Sequence, residues 1–137
     1  MLKDVNNFCD KNKIPCYAAT ANGDKIKFYL QTLYLNDITR PIDRRLTPTE
    51  QNILAHIIDF VITNGQIKND KTKFDKIVDT LVSKKVVKNR ANFSTNKTNI
   101  VGKGYLVEGY GRNSVVVEEK LIQVIQIGCI NIFITLT

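Results

Sequence analysis

Tryptophan is absent, histidine occurs once, and 137 residues hold three cysteines and three prolines. Each scarcity closes off a class of function. The cysteines are Cys9, Cys16 and Cys129. An odd number without C-x-x-C spacing makes neither a disulfide framework nor a zinc site, and points to reduced thiols in a cytosol. His56 has no second histidine with which to form a metal pair, and there is no Gly-x-Ser-x-Gly. A lone histidine on a helix flank is structural or exposed far more often than catalytic. Gly102-Lys103-Gly104 lacks the spacing of a phosphate loop. The acidic residues are scattered, and the adjacent Glu118 and Glu119 read as a solvated strand end. No catalytic, metal or cofactor site is expected, so the chain reads as a non-enzyme. No cationic start leads into an apolar signal core, so secretion is not expected. Asn92-Phe93-Ser94 and Asn96-Lys97-Thr98 match the glycosylation triplet, which without a secretion signal reads as an accident of an Asn-rich chain. Abundant Asn, Lys and Ile without Trp suggest an AT-rich genome.

What is present fits one soluble domain: 43% hydrophobic and 24% charged residues, with a net charge of +7. The charge is unevenly placed. Residues 1–60 carry eight Lys/Arg against seven Asp/Glu, residues 61–113 eleven against four, and residues 114–137 one against two. The surplus therefore lies in the middle, where it would attract phosphate. A solvated, Lys-rich face is the plainer reading of the same numbers.

The N-terminal part reads as strands. Cys16 to Thr20, Asn22-Gly23 and Lys25 to Leu35 give a hairpin signal, with Asn-Gly supplying the positive φ of a tight turn. Ile26, Phe28 and Leu30 alternate with Lys27, Tyr29 and Gln31, which predicts one buried face. A short helix is expected before Asn12, since Leu2, Val5 and Phe8 are spaced by about three. Thr47, Pro48 and Glu50 then form a capping box with proline at the first helical position. Ile53, Leu54, Ile57, Ile58, Val61 and Ile62 make one apolar stripe, and Asn64-Gly65 ends it. Gln66 to Lys68 reads as a short strand. Thr72 is a cap for a second helix that buries Phe74, Ile77, Val78 and Leu81. Ser83 to Lys88 either continues that helix or turns. A third helix, from about Arg90 to Val101, buries Phe93, Ile100 and Val101 and exposes Asn92, Thr95, Asn96, Lys97 and Asn99. Its Asn, Ser and Thr residues compete with the backbone and make it a poor helix former.

The start Leu46-Thr47-Pro48-Thr49-Glu50 and the step Ile100-Val101-Gly102-Lys103-Gly104-Tyr105-Leu106 resemble, in that order, a winged helix-turn-helix domain. The resemblance covers about half the chain. It implies an α+β fold: a three-helix core with a β-wing at Tyr105 to Glu108 and Ser114 to Glu118, turning at Gly109 to Asn113. To this the chain adds an N-terminal hairpin and C-terminal β-strands. The expected layout is a single domain over 1–137, with strands and connector at 1–45, the winged-helix-like core at 46–118 and C-terminal strands at 119–137. In a DNA-binding reading, Asn92, Asn96 and Lys97 meet bases and Lys84, Lys85, Lys103 and Arg112 hold phosphates of duplex DNA.

Leu121 to Thr137 contains no charged residue. From Cys129 on, Ile130, Ile132, Ile134 and Leu136 alternate with Asn131, Phe133 and Thr135, which is strand period. The phase breaks near Gln126 to Gly128, where a turn or bulge is expected. A membrane anchor is the rival reading, but the 17-residue run falls short of the ~20 a spanning helix needs and holds two Gln and an Asn. An apolar strand must pair or aggregate, so Ile130, Ile132, Phe133, Ile134 and Leu136 form the expected subunit-interface strand. A winged-helix-like centre between terminal strands also resembles the small ring or connector proteins in the neck of crAss-like tailed phages, a likeness of layout without a diagnostic motif. It implies a structural subunit of a virion, assembled in host cytoplasm, a ring-forming homo-oligomer with neighbouring virion proteins and no active site. The preferred expectation is that ring subunit, and the alternative is a DNA-binding regulator or replication accessory in the cytoplasm.

Overall fold

The computed structural model describes residues 25–127. Among these there are five α-helices and no β-strand: α1 Lys25–Asp37, α2 Pro48–Asn64, α3 Lys71–Ser83, α4 Arg90–Gly102 and α5 Glu119–Ile127, with a 3-10 turn at Ile42–Arg44. The described part is therefore all-α, which corrects the expected α+β fold with its β-wing and terminal strands.

Helix α2 is the centre. Thr47 Oγ1 accepts from Glu50 N at 3.1 Å while Glu50 Oε1 accepts from Thr47 N at 2.8 Å, so two orphan donors of the first turn are satisfied reciprocally. Ile53, Leu54, Ala55, Ile57 and Ile58 are fully buried. Gly65 ends the helix at φ 88°, a left-handed conformation that glycine adopts without steric cost. Helix α3 starts two residues earlier than Thr72 would set it, because Asp70 is the cap and its carboxylate accepts from Lys73 N at 3.1 Å. Phe74, Ile77, Val78 and Leu81 face inward, and the Phe74 and Phe93 rings meet edge to face at 5.8 Å, joining α3 to α4.

The expected hairpin strand over Lys25 to Leu35 is helix α1. Ile26, Phe28 and Leu30 fit period two over only five residues. The longer pattern is helical: Tyr29, Thr32 and Leu33 are buried against α2, with Asp37 one turn further on. Cys16 to Thr20, the Asn22-Gly23 turn and the expected short helix before Asn12 lie outside the described residues.

The wing strands are replaced by two isolated bridges, Ile67 with Val115 and Leu106 with Val117. The geometry prevents them from growing. Gly65 caps α2 on one side of Ile67 and Asn69 turns at φ 49° on the other, so very little extended chain is left. Where a neighbouring strand would supply a peptide group, Gln66 supplies its side-chain amide. Its Nε2 donates to Val117 O and its Oε1 accepts from Val117 N, both at 2.9 Å. The loop 107–114 that closes this region turns at Gly109 (φ 101°) and Gly111 (φ 114°).

The expected C-terminal strands over 119–137 are corrected over their first part. Glu118 Oε2 accepts from Leu121 N at 3.0 Å and opens α5, and Leu121, Ile122 and Ile125 bury one helical face. Absence of charge makes a segment apolar without making it a strand. The spacing of 121, 122 and 125 is the helical one. Ile130, Ile132, Phe133, Ile134 and Leu136 lie outside the described residues. No described helix is long and apolar enough to cross a membrane.

Candidate nucleic-acid interface

The turn between α3 and α4 has a defined geometry. Lys85 takes a left-handed φ of 59°. Its N–H donates to Val82 O at 3.0 Å, and Val86 N donates to Leu81 O at 2.9 Å. Those two bonds are a Schellman motif, which usually places glycine where Lys85 stands. The end of α4 repeats it. Gly104 at φ 86° donates to Val101 O at 3.0 Å, and Tyr105 N points to Ile100 O at 3.4 Å. The chain therefore leaves both helices in fixed directions. Asn89 caps α4, accepting from Asn92 N at 2.8 Å.

The seven residues expected to touch DNA do not form one patch. Lys85 and Asn92 line one hollow together with Lys88. Lys97 and Arg112 line a second, a groove of about 450 Å³ between α4 and loop 107–114. Lys84 sits on the α3 side, lining hollows there with Thr80 and, on the other flank, His56. Asn92 and Asn96 are half-buried and partly committed. Asn92 Oδ1 accepts from Lys88 N at 3.2 Å, and Asn96 Nδ2 donates to Asn92 O at 2.9 Å.

Lys103 is a structural anchor. Its ammonium pairs with Glu50, the capping-box residue, and its carbonyl accepts from the Arg40 guanidinium. Burial pushes the Glu50 carboxyl up, but Lys103 and the Thr47 N–H outweigh it and hold the group below the usual glutamate value. Arg40 also lies 4.0 Å over the Tyr105 ring, and Tyr105 donates to the buried Asp37 at 2.8 Å. Burial and that carboxylate push the phenol up. The cluster ties the end of α4 to α1 and to the start of α2.

The outward stripe of α4 is Arg90, Ser94, Thr95, Thr98 and Asn99. Thr95 and Asn99 are exposed as expected, and none of the five is among the seven residues expected to touch DNA. The signal was available: Asn96 and Lys97 stand three and four residues after the buried Phe93, which puts them on the inward half of the helix. Lys97 is half-buried, with its ammonium 5.2 Å from the Phe74 ring centre. Burial pulls it below the ordinary lysine value, and the Glu108 carboxylate works in the other direction. Arg90 lies at the same distance, 5.2 Å, over Phe74 and pairs with Asp75 at 2.8 Å.

His56 is half-buried, and burial, then the charge of Lys84, lowers its affinity for a proton. No group of three or more His, Cys, Asp or Glu able to hold a metal ion occurs among the described residues. Comparison with protein-family models, with curated proteins and with solved structures gives no match for the chain.

Proposed function

We propose that the chain is a non-enzymatic module that binds duplex DNA through α4 and the basic residues on either side of it. The observation that carries this reading is the set of four cations around α4 that form no ion pair among the described residues, Lys85, Lys88, Lys97 and Arg112. Within it, Lys85 and Lys88 flank the start of α4, while Lys97 with the nearby Arg112 flanks its second half. Between them runs a stripe of hydroxyl and amide side chains, the types that bond to phosphates and base edges. The winged-helix resemblance enters this proposal as an order of helices only. The test is duplex binding followed against salt. Each phosphate contact contributes ~0.9 to the log–log slope, so the Lys85→Ala/Lys88→Ala double variant should flatten it by about 1.8. An unchanged slope, or no binding to any duplex at about 50 mM salt, refutes the reading.

A second reading, a ring or connector subunit of a phage neck, is favoured by one observation, the ten uncharged and largely apolar residues from Gly128 to Thr137 that follow α5 in the sequence. Such a run needs a partner surface, and a ring repeats one heterologous contact around an axis. The DNA touched would then be packaged DNA. Mass measurement of the purified chain tests it. A closed oligomer that Ile132→Asp dissolves supports the ring, and a monomer at all concentrations removes it.

A further inference from the structure

The groove between α4 and loop 107–114 differs from the outward stripe of α4 in having an aromatic side chain at its rim. Tyr110 is 43% exposed. It stands between Gly109 and Gly111, both at positive φ, so the loop lifts a single ring out of the surface. The ring is not free to wander. A Cβ added at Gly111 would come within 3.0 Å of the Asn69 side chain, so the backbone here is seated against Asn69. The Lys68 ammonium lies 5.0 Å from the ring centre. Along the groove, Ser94 and Thr98 offer hydroxyls, Val101 and Val107 offer apolar surface, and Lys97 and Arg112 offer charge. Neither Lys97 nor Arg112 has an ion pair among the described residues. Glu108 also lines the groove and opposes an anionic ligand.

A ring presented beside cations in a concave, partly apolar surface is suited to unpaired bases more than to a duplex, whose bases are already stacked. We propose that this groove binds single-stranded DNA, one base stacking on Tyr110 while Lys97 and Arg112 hold the flanking phosphates. The inference rests on the nucleic-acid reading above and shares Lys97, Arg112, Ser94 and Thr98 with it, while Tyr110 belongs to the single-strand site alone. The chain would thus meet paired and unpaired DNA on overlapping surfaces, with Tyr110 at the unpaired end, an arrangement suited to a junction between the two.

The test is fluorescence anisotropy of the full chain with a labelled oligothymidylate of about fifteen nucleotides, and separately with a duplex. Tyr110→Ala should weaken single-strand binding roughly 5- to 160-fold, the loss expected for one base–aromatic stack. Tyr110→Phe should bind within about twofold of wild type, since it keeps the ring. Duplex affinity should not move in either variant. Glu108→Gln should tighten single-strand binding. Unchanged single-strand affinity in Tyr110→Ala, an equal loss on the duplex, or failure of phenylalanine to restore binding each overturns the proposal. Wild-type binding to the single strand without binding to the duplex would leave this inference standing and remove the duplex reading. Binding to the duplex alone would do the reverse, and binding to neither would remove both.

Discussion

Replacing Lys85 with glycine should make the protein more stable and a weaker DNA binder at once. Lys85 holds φ 59° at the end of α3, in the position where a Schellman motif favours glycine. A left-handed conformation costs an L-residue roughly 1–2 kcal/mol. Glycine removes that strain but has more backbone freedom to lose on folding, a cost of about 0.5–1 kcal/mol. The net gain is about 0–1.5 kcal/mol, ~0.75 at the midpoints, and ~0.75 kcal/mol in a domain of this size raises Tm by roughly 2–5 °C. The same substitution deletes one cation at the start of α4, so the log–log salt slope of duplex binding should fall by ~0.9. Lys85→Ala separates the two effects. It keeps a Cβ in the strained position and should show the same loss of slope without the gain in Tm. Calorimetry and a salt titration on the three proteins suffice. A lower Tm for Lys85→Gly would refute the turn geometry. A higher Tm with an unchanged slope would refute the assignment of Lys85 to the DNA face. If both effects appear, the lysine persists at a position that stability alone would give to glycine, a cost in stability maintained for function.

Gln66→Glu should destabilise the fold by about 2–3 kcal/mol, because the second carboxylate oxygen would face the Val117 carbonyl now bonded at 2.9 Å. The denaturant midpoint should fall with little change in m, and a wild-type midpoint would show that the clamp carries no weight. The pH dependence follows from His56, whose proton affinity in the folded state is lowered by burial and by Lys84, against a smaller opposite effect of Asp59. The unfolded chain binds the proton more tightly, so stability is complete above the ordinary value of 6.5 and declines as the pH falls below it. Denaturant midpoints measured between pH 7.5 and 5.5 should show that decline in wild type and a flatter profile in His56→Gln. Equal slopes in the two proteins would place the titrating group elsewhere.

Helix α2 was legible because its signals are local and agree: a capping box, proline at the first position, an apolar stripe and a terminal glycine. Helix α1 was not, because Ile26, Phe28 and Leu30 satisfy period two while Ile26, Tyr29 and Leu33 satisfy the helical period. Burial against α2 decides between them, and the sequence does not state that contact. The same holds for α5, whose uncharged composition suggested a strand although Leu121, Ile122 and Ile125 already carried helical spacing. At the candidate site, the polar and basic residue types are legible in the sequence, but which of them face outward follows only when the helix is phased on the buried Phe93 and Ile100. Fixing those two inside turns Asn96 and Lys97 inward and Ser94, Thr95, Thr98 and Asn99 outward. Two features had no local signature at all. Gln66 meets Val117 across 51 residues, and Lys103 meets Glu50 across 53. Tertiary proximity alone creates these contacts, and it is why a cation expected on phosphate is a brace inside the fold.

That brace limits how strongly salt should act. Residues 61–113 carry eleven Lys/Arg, but many are engaged with the protein itself. Lys103 is committed to Glu50, the Lys73 ammonium donates to Asn64 O at 3.2 Å, and Lys84 lies on the His56 side of α3, away from α4. On the surfaces proposed to meet DNA, Lys85, Lys88, Lys97 and Arg112 are left. Four contacts at ~0.9 each set a slope near 3.6 per bound chain. Arg90 is the variable. Its pair with Asp75 is exposed, with side chains 53% and 37% accessible, so opening it costs little. If a phosphate captures Arg90, the slope rises by another ~0.9. In that case Asp75→Asn, which frees the guanidinium in advance, should tighten duplex binding while leaving the slope at the higher value. A wild-type slope well above about 4.5 would mean that more chains, or more of each chain, contact the duplex than these surfaces provide.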